Sequence, residues 1–124
     1  MSKTVALRAV LTERLKTACP RVYYGQAAGE VVRPYVVYSV EKLSDTDSLE
    51  QMQMEVNVVD YGTDTSTCET IADSIETAFD RWSHLDEEIQ LTTWNDRRQP
   101  VEEEDRKIIR RRLLIDINFY DRRK

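Results

Sequence analysis

His84 is the only histidine in the chain, so any Ser-His-Asp or Cys-His relay has one available base, and no nucleophile is marked beside it. It stands in a polar stretch after Trp82 and reads as a solvent-facing turn histidine. Glu69 and Asp73 are four residues apart, a spacing at which two carboxylates on one helix face can share a divalent cation. The acidic solvent face of any amphipathic helix has the same spacing, and no third ligand lies near in sequence. The run Glu102, Glu103, Glu104, Asp105 lacks the Asp-x-Asp-x-Asp-Gly order of a calcium loop, and the three glycines, Gly25, Gly29 and Gly62, have no phosphate-loop spacing. Cys19 and Cys68 form no Cys-x-x-Cys pair and read as buried, idle thiols of a reducing compartment. The residues therefore give no catalytic, cofactor-binding or metal-binding constellation, and no enzyme is expected.

Contact chemistry is better represented. The formal net charge of the 124 residues is -5, which argues against a protein whose main task is gripping phosphates. That charge is segregated: residues 64–105 carry 13 acidic and 3 basic side chains, residues 106–124 carry 8 basic and 2 acidic. Such a distribution suits head-to-tail contact between copies, or two separate solvated faces. On a strand Arg110 and Arg112 project opposite to Arg111, so the triplet is an edge guard or a salt-bridging surface rather than one basic patch. Trp94, close to Arg97 and Arg98, is either a contact anchor or a core tryptophan.

These side chains need elements to hold them. Ser2 can cap a first helix whose apolar stripe comprises Val5, Ala6, Leu7, Ala9, Val10, Leu11, Leu15 and Ala18, ended by Pro20. A short Val22, Tyr23, Tyr24 segment and a glycine-containing loop precede Pro34. Residues 35–40 read as a strand apolar on both faces. Ser44, Asp45, Asp47 and Ser48 predict a turn. Then Met52, Met54, Val56 and Val58 alternate with Gln51, Gln53, Glu55 and Asn57, one face in the core and one wet. Gly62 stops that strand. Ser66 and Glu69 predict a capping box for a second helix that buries Ile71, Ala72, Ile75, Ala78, Phe79 and Trp82. Residues 89–94 and 108–120 predict a long hairpin joined by a polar connection over 95–105. Its last strand places Ile109, Leu113, Ile115, Ile117 and Phe119 on one face, interrupted by Arg111.

The length suits a single domain over residues 1–124. The expected fold is α+β, a two-layer sandwich in which two helices cover one face of an antiparallel or mixed sheet of four to five strands. The uncovered face mixes polar and apolar side chains, as a subunit interface or an ordinary solvated sheet face does. No stretch is apolar for the roughly 18 to 20 residues that cross a bilayer, and no signal-peptide pattern opens the chain, so a cytoplasmic start and no membrane are expected.

As a whole, the order of elements resembles the tail-completion proteins of tailed bacteriophages, in particular the tail terminator and head-to-tail joining group. The resemblance is carried by an amphipathic helix, then Cys19-Pro20-Arg21-Val22-Tyr23-Tyr24-Gly25, the entry Arg33-Pro34-Tyr35-Val36-Val37-Tyr38, an alternating strand ending near Asp60, and a helix over residues 67–81. It implies a non-enzymatic phage or prophage structural protein without cofactors. Such a protein forms a homo-oligomeric ring, typically six-fold, at the end of the tail tube, stops tube polymerisation and joins the tail to the head connector. The implied partners are further copies of itself, the tail tube protein and the head–tail connector protein. DNA passes through the ring without specific binding, and the protein resides in the tail or neck of the virion after assembly in the bacterial cytoplasm. The alternatives are a head-closure or neck adaptor of the same assembly, or a small host-directed binding protein. The residues expected at interfaces are Asp45, Asp47, Trp94, Arg97, Arg98, Glu102, Glu103, Glu104, Asp105, Arg110 and Arg112.

Overall fold

A computed structural model describes residues 2–27, 32–46 and 49–122. In chain order the elements are α1 (Lys3–Lys16), β1 (Val22–Tyr24), β2 (Tyr35–Thr46), β3 (Leu49–Tyr61), α2 (Ser66–Phe79), β4 (Ser83–Leu85), β5 (Ile89–Val101) and β6 (Ile108–Asp121). The strands form one sheet in the order β1-β2-β3-β6-β5-β4, antiparallel except for the parallel β1–β2 pair.

This corrects the expected two-layer sandwich of four to five strands. The sheet has six strands, is mixed, and curls into a half-barrel accompanied by the two helices. Two causes are local. Long strands of 12 to 14 residues accumulate twist, and β2 and β5 each hold an extra residue, Leu43 and Asp96, where the register shifts and the strand bends. The additional strand, β4, is three residues long and follows Arg81, a non-glycine residue at φ 52. A left-handed arginine carries no sequence signal, which is why His84 reads as part of a turn although it sits in β4.

The remaining boundaries also move. The connection expected over residues 95–105 is mostly strand, because β5 continues to Val101 in register with Arg110 of β6. Ser44 and Asp45 belong to β2, opposite Gln51 and Glu50, and Asp47 and Ser48, expected in a turn, lie outside the described residues. At α1, Ser2 Oγ accepts from Thr4 N–H, as its position predicts. At α2 the capping box is replaced: Asp64 Oδ1 accepts from the Ser66 N–H at 2.9 Å and from its hydroxyl at 2.6 Å, leaving Glu69 free for two arginines.

The core lies on the helix-facing side of the sheet. Leu7, Leu11 and Leu15 of α1 and Cys68, Ile71, Ala72, Ile75 and Phe79 of α2 pack with Val36, Tyr38, Met54, Val56, Val58, Leu91, Leu113, Ile115 and Phe119. The stripe of α1 is narrower than its spacing suggests, since Val5 is 46 % exposed. Two buried hydroxyls in this layer have partners, whereas Asn95, whose Nδ2 donates to Glu76 O at 2.9 Å, keeps a buried Oδ1 with no hydrogen bond to a described residue. The Tyr38 hydroxyl lies 2.6 Å from Thr12 Oγ1 and donates to Arg8 O at 3.0 Å, and burial raises its pKa. The Thr93 hydroxyl donates to Phe79 O at 2.7 Å, closing a carbonyl left open at the end of α2.

Candidate functional site

The charged residues divide between the two faces of the sheet. Because Asp96 is supernumerary, Arg98 pairs with Leu113 and projects beneath α2, whereas strict alternation from Leu91 would have put Arg97 there. Arg98 Nη1 contacts Asp73 Oδ1 and Glu76 Oε1, each at 2.6 Å, and its Nη2 meets Glu69 Oε2 at 3.0 Å. Burial opposes the guanidinium charge, but the bonds to Asp73 and Glu76 and the field of Glu69 outweigh it and raise the pKa. Arg111 joins the same group through Glu69. The helix face holding Glu69 and Asp73 is thereby a clasp for arginine, and its carboxylates hold α2 against the ends of β5 and β6. Among the described residues no group of three or more His, Cys, Asp or Glu side chains is placed to hold a metal ion.

The helix-free face gathers Tyr35, Val37, Glu55, Asn57, Val59, Trp94, Arg97, Arg110, Arg112 and Asp116, as the alternation of the strands requires. Trp94 is 40 % exposed and lines a shallow hollow with Leu43 and Asn118, so it is a surface tryptophan. Arg97 is exposed beside Asp96 at 3.9 Å. Gln53 Nε2 bridges Asp96 and Asp116 at 3.2 and 3.1 Å. Arg112 Nε is 3.6 Å from Glu55, and Arg110 Nε is 2.8 Å from Glu103. Glu102, Glu103, Glu104 and Asp105 form the tip of the β5–β6 hairpin, where Asp105 Oδ1 accepts from the Lys107 N–H.

At the opposite end of the sheet Glu50, 6 % exposed, is held by Lys3 at 3.1 Å and Lys42 at 3.2 Å, and Lys42 also meets Asp45 at 3.0 Å. The bond to Asp45, followed by that to Glu50, raises the Lys42 pKa. His84 Nε2 lies 2.7 Å from Asp86 Oδ2, at the exposed β4 edge beside Trp82. That bond, with backbone N–H groups of Ile89 and Glu88, holds the Asp86 carboxyl down to about 2.

The structure thus brings Arg110, Glu103 and the hairpin tip together, sets Trp94 and Arg97 on the same face, and removes Arg98 to the opposite one. Asp45 stands apart at the far end of β2. Sequence reasoning missed the groove between Arg33 and Asn57, since those residues are 24 positions apart and meet only through the β2–β3 pairing.

Among solved structures, the chain is similar to one described as "Virion of native gene transfer agent (GTA) particle". The superposition has a TM-score of 0.65 at 20 % sequence identity, and covers 90 % of this chain and 85 % of that one. No protein-family model and no curated protein matches the chain.

Proposed function

We propose that the chain is a structural component of a phage-like particle, and within it a tail terminator: a ring, six-fold in the resemblance noted above, that caps the tail tube and docks it to the head connector. The observation carrying this reading is the likeness, over nearly the whole of both chains, to a chain of a gene transfer agent virion. The helix-free face supports it physically. Exposed Trp94 and Leu43 stand among charged and amide side chains there, a composition that suits contact between subunits better than a catalytic pocket. A net charge of -5 leaves DNA free to slide through a ring rather than bind it.

Electron microscopy of particles made without the gene tests the proposal. Overlong tails detached from heads are expected; normal-length tails beside separate filled heads would favour the neck adaptor instead. Intact, infectious particles would overturn both.

A further inference from the structure

A groove of about 760 Å³ opens on the helix-free face, lined by Arg33, Tyr35, Glu55, Asn57, Val59 and Arg110 among others. Its floor follows from register: Val37 faces Asn57, Tyr35 faces Val59, and Val59 faces Arg110. Two polar atoms in it make no hydrogen bond to a described residue. Asn57 is 8 % exposed, and its Nδ2 donates to Glu55 Oε2 at 3.1 Å, which fixes the amide orientation and leaves Oδ1 buried with no donor. The Arg110 N–H at Nε is buried and not hydrogen-bonded, although Glu103 Oε1 stands 2.8 Å from the nitrogen, off the N–H axis. Arg33 lies over the Tyr61 ring at 5.1 Å and completes a cationic wall.

An occupant of this groove meets a buried acceptor at Asn57 Oδ1, the guanidinium of Arg33 and that of Arg110, which already has Glu103 on one side. The lining carboxylate Glu55 is engaged by Asn57 and stands 3.6 Å from Arg112 Nε. An extended acidic polypeptide suits these groups, its backbone N–H reaching Asn57 and its carboxylates the arginines. The β5–β6 hairpin tip is such a segment: Glu102 and Glu104 are exposed and make no ion pair with a described residue, and Glu103 shows that this tip's carboxylates suit Arg110. Among the described residues of one chain, Glu103 is the one of these acids that reaches an arginine of the groove. We propose that the groove receives the acidic hairpin tip of a second copy of this chain. The occupant's being a second copy rests on the assembly reading above; the groove's preference for an acidic segment does not.

The test is titration of the full-length protein with a capped peptide of residues 100–107, followed by amide and arginine side-chain NMR shifts. Saturable binding is expected, with shifts at the Asn57 side-chain amide and Arg110 Nε–H, and none with a peptide carrying lysine at the three glutamates. Arg33→Glu abolishes it. Asn57→Leu weakens it at least tenfold while leaving the melting temperature unchanged or raised, because the substitution removes a buried acceptor that has no donor. Absence of saturable binding, or undiminished binding to both variants, overturns the groove proposal whatever the oligomeric state. Sedimentation then reads the assembly claim separately. Glu102→Lys with Glu104→Lys, and Arg33→Glu alone, each abolish self-association, and all three substitutions in one chain restore it. Peptide binding without any self-association of the intact protein sinks the second-copy assignment and leaves the acidic-segment site standing.

Discussion

Glu69 of α2 closes on Arg111 of β6, a cation standing in the row that otherwise reads Ile109, Leu113, Ile115, Ile117 and Phe119. The arginine side chain is 19 % exposed and the glutamate 42 %, so among the described residues the charge under the helix has one half-solvated carboxylate partner beside the Arg110 carbonyl at 3.1 Å. Removing only that partner strands a cation, whereas replacing the cation by an apolar side chain does not. Glu69→Ala is expected to cost about 1–2 kcal/mol, and Arg111→Met less than about 1 kcal/mol. Urea denaturation of the two variants measures the asymmetry, and equal losses would contradict it.

Thr93 is fully buried and its hydroxyl meets the Phe79 carbonyl at 2.7 Å. Valine keeps the shape and removes the donor. Thr93→Val should therefore destabilise by about 1–2 kcal/mol while Thr93→Ser, which keeps the donor, loses less than valine does. Thermal melts of the pair decide it.

The position of Arg81 at φ 52 is one that glycine occupies without steric cost. Arg81 is exposed, and no hydrogen bond or ion pair to a described residue holds its side chain. Arg81→Gly should gain about 0.5–1 kcal/mol, the relief of left-handed strain less the extra freedom of the unfolded chain. A lower denaturation midpoint would count against this account of the α2–β4 turn.

Cys68 is buried against the Val58 carbonyl, at 3.5 Å, and burial pushes its thiol up to about 11. Cys19 is equally buried, at 1 % exposure. Neither thiol should react with a disulfide reagent at pH 8 in the folded protein, and both should react after denaturation. Fast labelling of the native state would show that the helix layer opens.

Asp86 titrates at about 2 rather than its ordinary 3.8, chiefly because of its bond to His84. A carboxyl depressed by folding adds stability above its unfolded pKa and loses it as pH falls through the folded one. The melting-temperature gap between the protein and Asp86→Asn should be full above about pH 5, narrow as pH falls through about 2 and close below that. A gap constant across that range would remove Asp86 from the acid response.

Much of the fold was legible because side-chain periodicity reports local backbone geometry. Met52, Met54, Val56 and Val58 alternate and are buried, and the α2 stripe through Ile71, Ile75 and Phe79 is the one that packs on the sheet. Other features left no trace in composition. Residues 95–101 look like loop because they are polar, yet they are strand, their polarity serving the α2 acids on one face and solvent on the other. The capping box at Ser66 failed because two guanidinium groups compete for Glu69 with a single backbone N–H.

By itself the sequence determined which residues could form helices and strands and that Arg110 and Arg112 part company with Arg111. These follow from side-chain chemistry and the 3.6- and 2-residue periods, which are properties of neighbouring positions. Only the tertiary structure decided that a bulge at Asp96 sends Arg98 beneath α2, that Trp94 faces outward, and that the Asn57 Oδ1 acceptor and the Arg110 Nε donor share one groove without a hydrogen bond to a described residue. Register, bulges and left-handed turns decide those outcomes. They depend on pairing between strands far apart in the chain, where a shift of one residue moves a side chain to the opposite face.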